Sequence, residues 1–353
     1  MQKEQRIRGL DTIRFLLAVI VVVYHTNSFP LLTGIDEGSA VGHLVKKWYQ
    51  TCINGQAAVI AFFVISGFCI HYPFRKTAPR LLSYFPRRLF RTVTPVAALL
   101  VLARVCRVSM PVLGPSVLWS LICEEVYYFL YPFVTRPLQR KVGWGVLVLV
   151  SFVASECLSW AWPKPLSQGG YVVYGWQLNW FLALPCWLLG CMIAEGADAL
   201  TAPVSRPQIW AWRVGVFILS GVCEHYRLKL AMTHSLNYFA FVVFAWLQQE
   251  VRYNRHVSPS GVLEWAGKWS YSLYLTHLVS YAVYDRWYHL PFMGLIPSWF
   301  MHMGWVLGWA YGFYLLVEKP SHMLARWLGA RLGKPQAGSG TILPGPAPLR
   351  AAG

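Results

Sequence analysis

An arginine and a histidine eleven residues apart, Arg14 and His25, stand in an otherwise apolar run from Leu10 to His25 that is long enough to enter a membrane. Neutral imidazole takes a proton near pH 7, and a guanidinium orients a carboxylate or an anionic arm, so the segment offers proton transfer and anion binding together. A helix turns about 100° per residue, so eleven residues return to nearly the same face, displaced by roughly 16 Å along the axis. Asp11, Arg14, Ala18 and His25 therefore form one stripe. A charged side chain near a bilayer centre costs at least about 2.5 kcal/mol, so such residues face a protein interior or a wet cavity and mark a functional path. The stripe reads as the wall of an active site.

Three further constellations carry chemistry. Leu118-Trp119-Ser120-Leu121-Ile122-Cys123-Glu124-Glu125-Val126-Tyr127-Tyr128 places two adjacent carboxylates just inside one end of an apolar segment. Neighbours on a helix point about 100° apart, so Glu124 and Glu125 do different jobs: one faces the cavity and the other pairs elsewhere. A salt bridge from this pair to Arg14 or to an arginine in a loop is the structural alternative. Arg88 and Arg91 lie three apart in the densest basic run, adjacent on a helix that begins at the membrane surface, where they would clamp phosphates bidentately or merely fix orientation. Ser270, Tyr274 and His277 follow an i, i+4, i+7 pattern and make a second polar stripe. His277 taken alone reads as a hydrogen-bonded structural histidine, and the other histidines carry no assigned role.

The elements that must position these residues are membrane helices. Hydrophobic residues make up 56% of the 353 and charged residues only 13%, far from the soluble balance. About ten stretches are long and apolar enough to span: 10–27, 56–73, 92–108, 117–134, 143–161, 176–195, 209–224, 232–249, 269–286 and 297–317. The expected fold is all-α, a polytopic bundle of about ten transmembrane helices. The net charge of +17 would suit nucleic acid, but sorting by loop explains it otherwise. Of 31 Lys and Arg, 22 fall on the side of the N-terminus, 8 on the other, and Arg14 lies inside. Both termini are therefore expected in the cytoplasm, with no nucleic-acid partner.

No small-residue cleavage site follows the first helix, so it is expected to be retained. One membrane domain is expected over 1–330. The residues from 331 to 353, rich in Gly, Pro, Ala and Ser, read as a flexible cytoplasmic tail. The eight cysteines lack CxxC spacing, so neither a zinc site nor a disulfide framework is indicated. The pattern sets no oligomeric state.

In this order the pieces resemble the membrane-bound acyltransferase family 3, whose members O-acylate sugars of surface polysaccharides, lipopolysaccharide, peptidoglycan and some small glycosides. The resemblance rests on six segments: Arg8-Gly9-Leu10-Asp11 with Arg14 and His25; Phe62-Phe63-Val64-Ile65-Ser66-Gly67-Phe68; Arg88 and Arg91; Trp119-Ser120-Leu121 with Glu124-Glu125 and Tyr127-Tyr128; Ser270-Tyr271-Ser272-Leu273-Tyr274-Leu275 with His277; and Glu318-Lys319-Pro320. It implies a ten-helix bundle in the cell membrane that accepts an acyl group, acetyl by default, from cytoplasmic acyl-coenzyme A. The acceptor is a glycan hydroxyl on the outer side, and no cofactor stays bound and no metal is needed. His25 would be the general base, with an acyl-histidine intermediate as a variant. Arg14 would orient the donor arm and Arg88 and Arg91 would grip phosphates. Glu124 or Glu125 would orient His25 or bind the acceptor, with Tyr127, Ser270, Tyr274 and His277 shaping the site.

Many relatives carry an extracytoplasmic hydrolase-like domain after the bundle. With the chain stopping at 353, any such activity is expected from another protein or is unnecessary. The longest outer loops, about 28–54 and 162–175, carry no sugar-binding signature. A transporter or flippase for an anionic or glycan substrate is the alternative class, since intramembrane Arg, His and Glu also build transport paths. Its usual hint, interrupted helices paired between two similar halves, is missing. An enzyme using succinyl- or another acyl-coenzyme A is the second alternative.

Overall fold

Long runs of Leu, Val, Ala, Phe and Trp satisfy their own backbone in hydrocarbon only as helices. The computed structural model describes residues 7–26, 39–112, 116–163, 170–226, 232–287 and 295–332, and every regular element among them is helical. In chain order these are α1 (Leu10–Thr26), α2 (Ala40–Cys52), α3 (Gly55–His71), α4 (Leu81–Val105), α5 (Trp119–Leu130), α6 (Arg136–Val142) and α7 (Trp144–Ala161). There follow α8 (Trp176–Glu195), α9 (Arg206–His225), α10 (Met232–His256), α11 (Gly261–Gly267), α12 (Ser270–Trp287), α13 (Leu295–Phe313) and α14 (Lys319–Leu332). Each expected span coincides with one of these helices. Among the described residues four stretches, Gly55–Phe74, Trp144–Ala161, Trp176–Glu195 and Trp299–Leu332, are long and apolar enough to cross a membrane by length and composition.

Two boundaries differ from the sequence reading. The expected outer loop 28–54 contains α2, whose apolar residues Val41, Leu44, Val45 and Trp48 recur at helical spacing and which packs beside α9. It is too short and too polar to give the signal of a span. The last helix runs on through Leu332, so 331 and 332 are helix, while 333–353, expected to be a flexible tail, lie outside the described residues.

Two helices widen by a π-type turn. Tyr131–Thr135 joins α5 to α6, and Tyr314–Glu318 joins α13 to α14. Each contains or precedes a proline, Pro132 or Pro320, whose missing N–H cannot close the ordinary i to i−4 bond. Such turns re-aim side chains and cluster at functional sites. The second one aims Glu318 inward.

Helices α3 and α8 form the centre of the bundle. They cross through reciprocal glycines: a Cβ on Gly67 would sit 1.9 Å from the Trp187 carbonyl oxygen, and one on Gly190 would sit 1.9 Å from the Val64 carbonyl oxygen. Only hydrogen fits at either position. Beyond the crossing, Arg75 and Lys76 clasp Asp198 at 2.9 and 3.3 Å, and the Arg75 hydrogen bond holds that carboxyl below its usual range. His71 hydrogen-bonds Tyr131 at 2.7 Å and pairs with Glu195.

A Gly67→Ala change is expected to force α3 and α8 apart and to destabilise the protein by about 1–3 kcal/mol, the range for overpacking. A lowered thermal midpoint of the purified protein, larger than for Gly145→Ala, where a Cβ meets open space, checks this.

Candidate active site

The start of α1 is held by a carboxylate from another helix. Glu264 of α11 accepts hydrogen bonds from the backbone N–H of Gly9 at 3.1 Å and of Thr12 at 3.0 Å, and from the Thr12 hydroxyl at 2.9 Å. Those N–H groups have no partner within the helix, and the carboxylate complements the positive end of the helix dipole. Gly267 lets the α11 to α12 junction lie against the Asp11 backbone, since a Cβ there would be 2.2 Å from its carbonyl oxygen. The clamp fixes the height of Arg14. Its Nη1 lies 3.7 Å from Asp11 Oδ1, a long ion pair.

Around Arg14 a half-buried polar cluster gathers residues from α3, α4, α5, α12 and the turn 314–318. Glu124 accepts from the Tyr128 hydroxyl at 3.1 Å, which in turn lies 3.2 Å from Ser66 Oγ, and it has Arg14 and Arg91 as electrostatic neighbours. Glu125 lies at the α4 side of the cluster, with Thr92 as its hydrogen-bond partner and Arg88 as a charged neighbour. The 100° step between adjacent positions thus sends one carboxylate to the Arg14 side and the other to α4. Glu318 accepts from Ser272 Oγ at 2.5 Å and Ser272 N–H at 3.1 Å, with Arg14 and Arg91 again nearby.

Arg88 and Arg91 join this cluster from α4. The Arg88 guanidinium carbon lies 5.8 Å from the Tyr84 ring centre and 5.9 Å from that of Tyr128, within reach of cation–π attraction. Among the described residues neither Arg88 nor Arg91 makes a salt bridge, although Arg14, Arg88 and Arg91 feel one another's charge. Cys69 is exposed here, although most of α3 around it is buried, and its electrostatic neighbours are Arg14, Arg88, Arg91 and Asp11. An exposed thiol on a buried helix marks a cleft between the helices.

At the other end of the stripe, His25 is exposed and meets His277. Their rings lie 5.0 Å apart, with His277 Nε2 3.2 Å from His25 Nδ1. Tyr274 lies one turn below His277. Its hydroxyl donates to the Val117 carbonyl at 3.0 Å and shares a 2.7 Å hydrogen bond with Ser120, which ties α12 to the start of α5. Ser270 is buried and donates to the Gly267 carbonyl at 2.9 Å.

Two expectations change. Neither Glu124 nor Glu125 hydrogen-bonds His25 among the described residues, because both sit at the level of Arg14, more than a helical turn away along the stripe. Tyr127 does not shape the cluster: it is fully buried, donates to the Trp180 carbonyl at 2.7 Å and packs on Phe63 and Trp187. Its neighbour Tyr128 takes the place expected of it. Sequence reasoning passed over Tyr128, Ser66, Ser272 and Glu318 as site residues. The signal lay in the quoted segments, where each is a polar group inside an apolar run.

Other polar pairs are separate from this site. His234 and Glu156, 2.5 Å apart, form a closed network with Asn237 and Ser155. A cavity of about 460 Å³ lies on the opposite face of α1, lined by Leu16, Ile20, Ala61 and Phe217 with the Arg213–Glu250 pair. Its lining holds neither Arg14 nor His25.

The family model for the acyltransferase domain, acyltransferase 3, matches residues 7–317. The chain belongs to that family. It is an acyltransferase of the O-acyl type, built from apolar helices suited to a membrane. No curated protein and no solved structure matches it.

The divergence of Tyr127 and Tyr128 makes a paired prediction for this acyltransferase. Tyr127→Phe removes one buried hydrogen bond and is expected to lower stability by about 1 kcal/mol with the transfer rate kept. Tyr128→Phe takes a donor from Glu124 and is expected to slow transfer about tenfold, equivalent to ~1.4 kcal/mol in the transition state. Thermal midpoints and initial rates of the two purified variants check both halves.

Proposed function

We propose that this acyltransferase carries an acyl group, acetyl in the first instance, from cytoplasmic acyl-coenzyme A to a hydroxyl of an extracytoplasmic glycan. In this reading the bundle has about ten spans in the cell membrane and both termini are cytoplasmic. The observation that carries the reading is the stripe on α1. At one end, Arg88 and Arg91 stand beside Arg14 and make no salt bridge among the described residues; roughly 16 Å along the α1 face from Arg14, an imidazole stands exposed.

The donor's chemistry suits the first end. Coenzyme A carries phosphates, which guanidinium forks hold by charge-assisted, bidentate hydrogen bonds, and a thin arm ending in the thioester. Arg88 and Arg91 hold the phosphates, and Arg14, set by the Glu264 clamp, orients the arm. Glu124 and Glu318 hold Arg14 and Arg91 in place and keep like charges from driving the cluster apart.

The transfer itself belongs to the second end. His25 takes the proton of the acceptor hydroxyl, and the oxygen attacks the thioester carbonyl carbon. The carbon–sulfur bond breaks, and the departing thiolate takes the proton back from His25. An ester and free coenzyme A result. A hydrogen-bond donor near the carbonyl oxygen stabilises the charge that develops on it.

Two measurements test the reading. His25→Ala is expected to cut acetyl transfer from acetyl-coenzyme A in membrane vesicles at least about a hundredfold at equal protein level. Transfer at the wild-type rate overturns the base assignment. Arg88→Ala/Arg91→Ala is expected to raise the KM for acetyl-coenzyme A at least about tenfold, the loss of ~1.4 kcal/mol or more of donor binding. Cys69 reports the same site without turnover: coenzyme A is expected to protect it from N-ethylmaleimide in a Cys157→Ser background. Unchanged labelling of Cys69 at saturating coenzyme A places the donor elsewhere.

A further inference from the structure

We propose that His277 is a positioning residue that fixes the ring and tautomer of His25, so that the Nε2 lone pair of His25 is the one presented to the acceptor hydroxyl. This rests on the reading of His25 as general base. It adds the group behind that base, the role first looked for in Glu124 or Glu125.

The argument follows from which atoms donate and which accept. His277 Nδ1 lies 2.7 Å from the carbonyl oxygen of Tyr274. A carbonyl only accepts, so Nδ1 carries the hydrogen. In the neutral ring Nε2 then holds a lone pair, and it lies 3.2 Å from Nδ1 of His25. That same His25 Nδ1 is 2.9 Å from the carbonyl oxygen of Val21. It faces two acceptors, so it must carry a hydrogen, shared between them. The remaining lone pair of the His25 ring is on Nε2.

The surroundings hold this arrangement in place. His277 is buried, and Tyr274, whose carbonyl it uses, is anchored through its hydroxyl to Ser120 and Val117. Among the described residues, no carboxylate or guanidinium is an electrostatic neighbour of either ring; His277 has His25 as its one charged neighbour. Serine hydrolases place a carboxylate behind the catalytic histidine to fix its tautomer. Here a neutral imidazole, itself fixed by a backbone carbonyl, does that job. His25 stays exposed at the end of the stripe, able to meet a hydroxyl, while its other nitrogen is tied down.

The proton bookkeeping closes on one atom. The acceptor O–H proton moves to His25 Nε2 as the C–O bond forms, and it leaves Nε2 for the thiolate as the C–S bond breaks. Nδ1–H stays on His25 throughout and keeps its bond to His277. With the other tautomer, Nε2 would already hold a hydrogen and could not take the proton.

The experiment combines kinetics with histidine nitrogen NMR on the full chain in detergent or nanodiscs. His277→Phe, which removes the acceptor, is expected to lower kcat for acetyl transfer by about tenfold to a hundredfold with KM for acetyl-coenzyme A unchanged. His277→Gln, whose amide oxygen accepts from Nδ1–H, is expected to recover most of that loss. Isotope-labelled histidine spectra of the unmodified protein at neutral pH are expected to show His25 with hydrogen on Nδ1 and a bare Nε2. A His277→Phe kcat within twofold of wild type overturns the proposal, as does a His277→Gln no better than His277→Phe. So does a His25 ring with hydrogen on Nε2, a result that needs no variant to fold. His25→Ala run alongside separates the two ideas: if it stays active the base assignment itself fails, whereas an inactive His25→Ala beside a fully active His277→Phe removes only the positioning role.

Discussion

Charge confined between apolar helices is the constraint on which the rest of this structure depends. An arginine on α1 cannot face lipid without a cost of at least about 2.5 kcal/mol, so the helices around it must supply a polar interior. They do so from four directions: Asp11 on its own helix, Glu124 from α5, Glu318 from the turn before α14, and the second and third guanidinia from α4. Each acid is in turn held by hydroxyls, Tyr128 for Glu124 and Ser272 for Glu318. A buried polar network of this kind is stable only when its members are partnered, which fixes the relative heights of five elements. The proline-linked π turn before α14 is part of the same constraint, because it rotates Glu318 toward Arg91.

Apolar packing supplies the frame in which that network can sit. The α3–α8 crossing through Gly67 and Gly190 brings two backbones together and leaves no room for side chains between them. The Glu264 clamp then fixes the start of α1 against α11. With one helix pinned at its start and α12 tied to α5 through Tyr274, the two ends of the stripe cannot slide independently. In the proposed reading a donor arm reaching from the guanidinia to His25 meets a path of fixed length, which a direct transfer needs because reacting atoms must be brought within near-attack distance.

The two ends of the stripe solve different problems. At the Arg14 end, Arg14 and Asp11 form a long ion pair at 3.7 Å, and among the described residues Arg88 and Arg91 make no salt bridge. At the His25 end, among the described residues, the hydrogen-bond contacts of the ring are the Val21 carbonyl and the His277 ring, both on Nδ1. In the proposed reading one end binds the donor and the other moves a proton.

The sequence by itself determined the helical class, the position of the long helices, and the fact that Arg14 and His25 share a face, because all three follow from local composition and the 3.6-residue period. Adjacent positions were a different matter. Periodicity says that Glu124 and Glu125, or Tyr127 and Tyr128, point apart, but not which one meets the cluster, since that depends on how α5 is rotated against α4 and α8. Only tertiary packing turned Tyr127 toward Trp187 and Tyr128 toward Glu124. The partner of His25 was likewise outside the reach of pattern: His277 lies 252 positions away, and a hydrogen bond between two imidazoles depends on how far α12 is shifted along α1. A short amphipathic helix such as α2 was missed because it lies below the length that signals a span, while its helical period was present all along. Local periodicity fixes which residues share a face; the rotation and height of each helix, set by glycine contacts and buried charge, decide which faces meet.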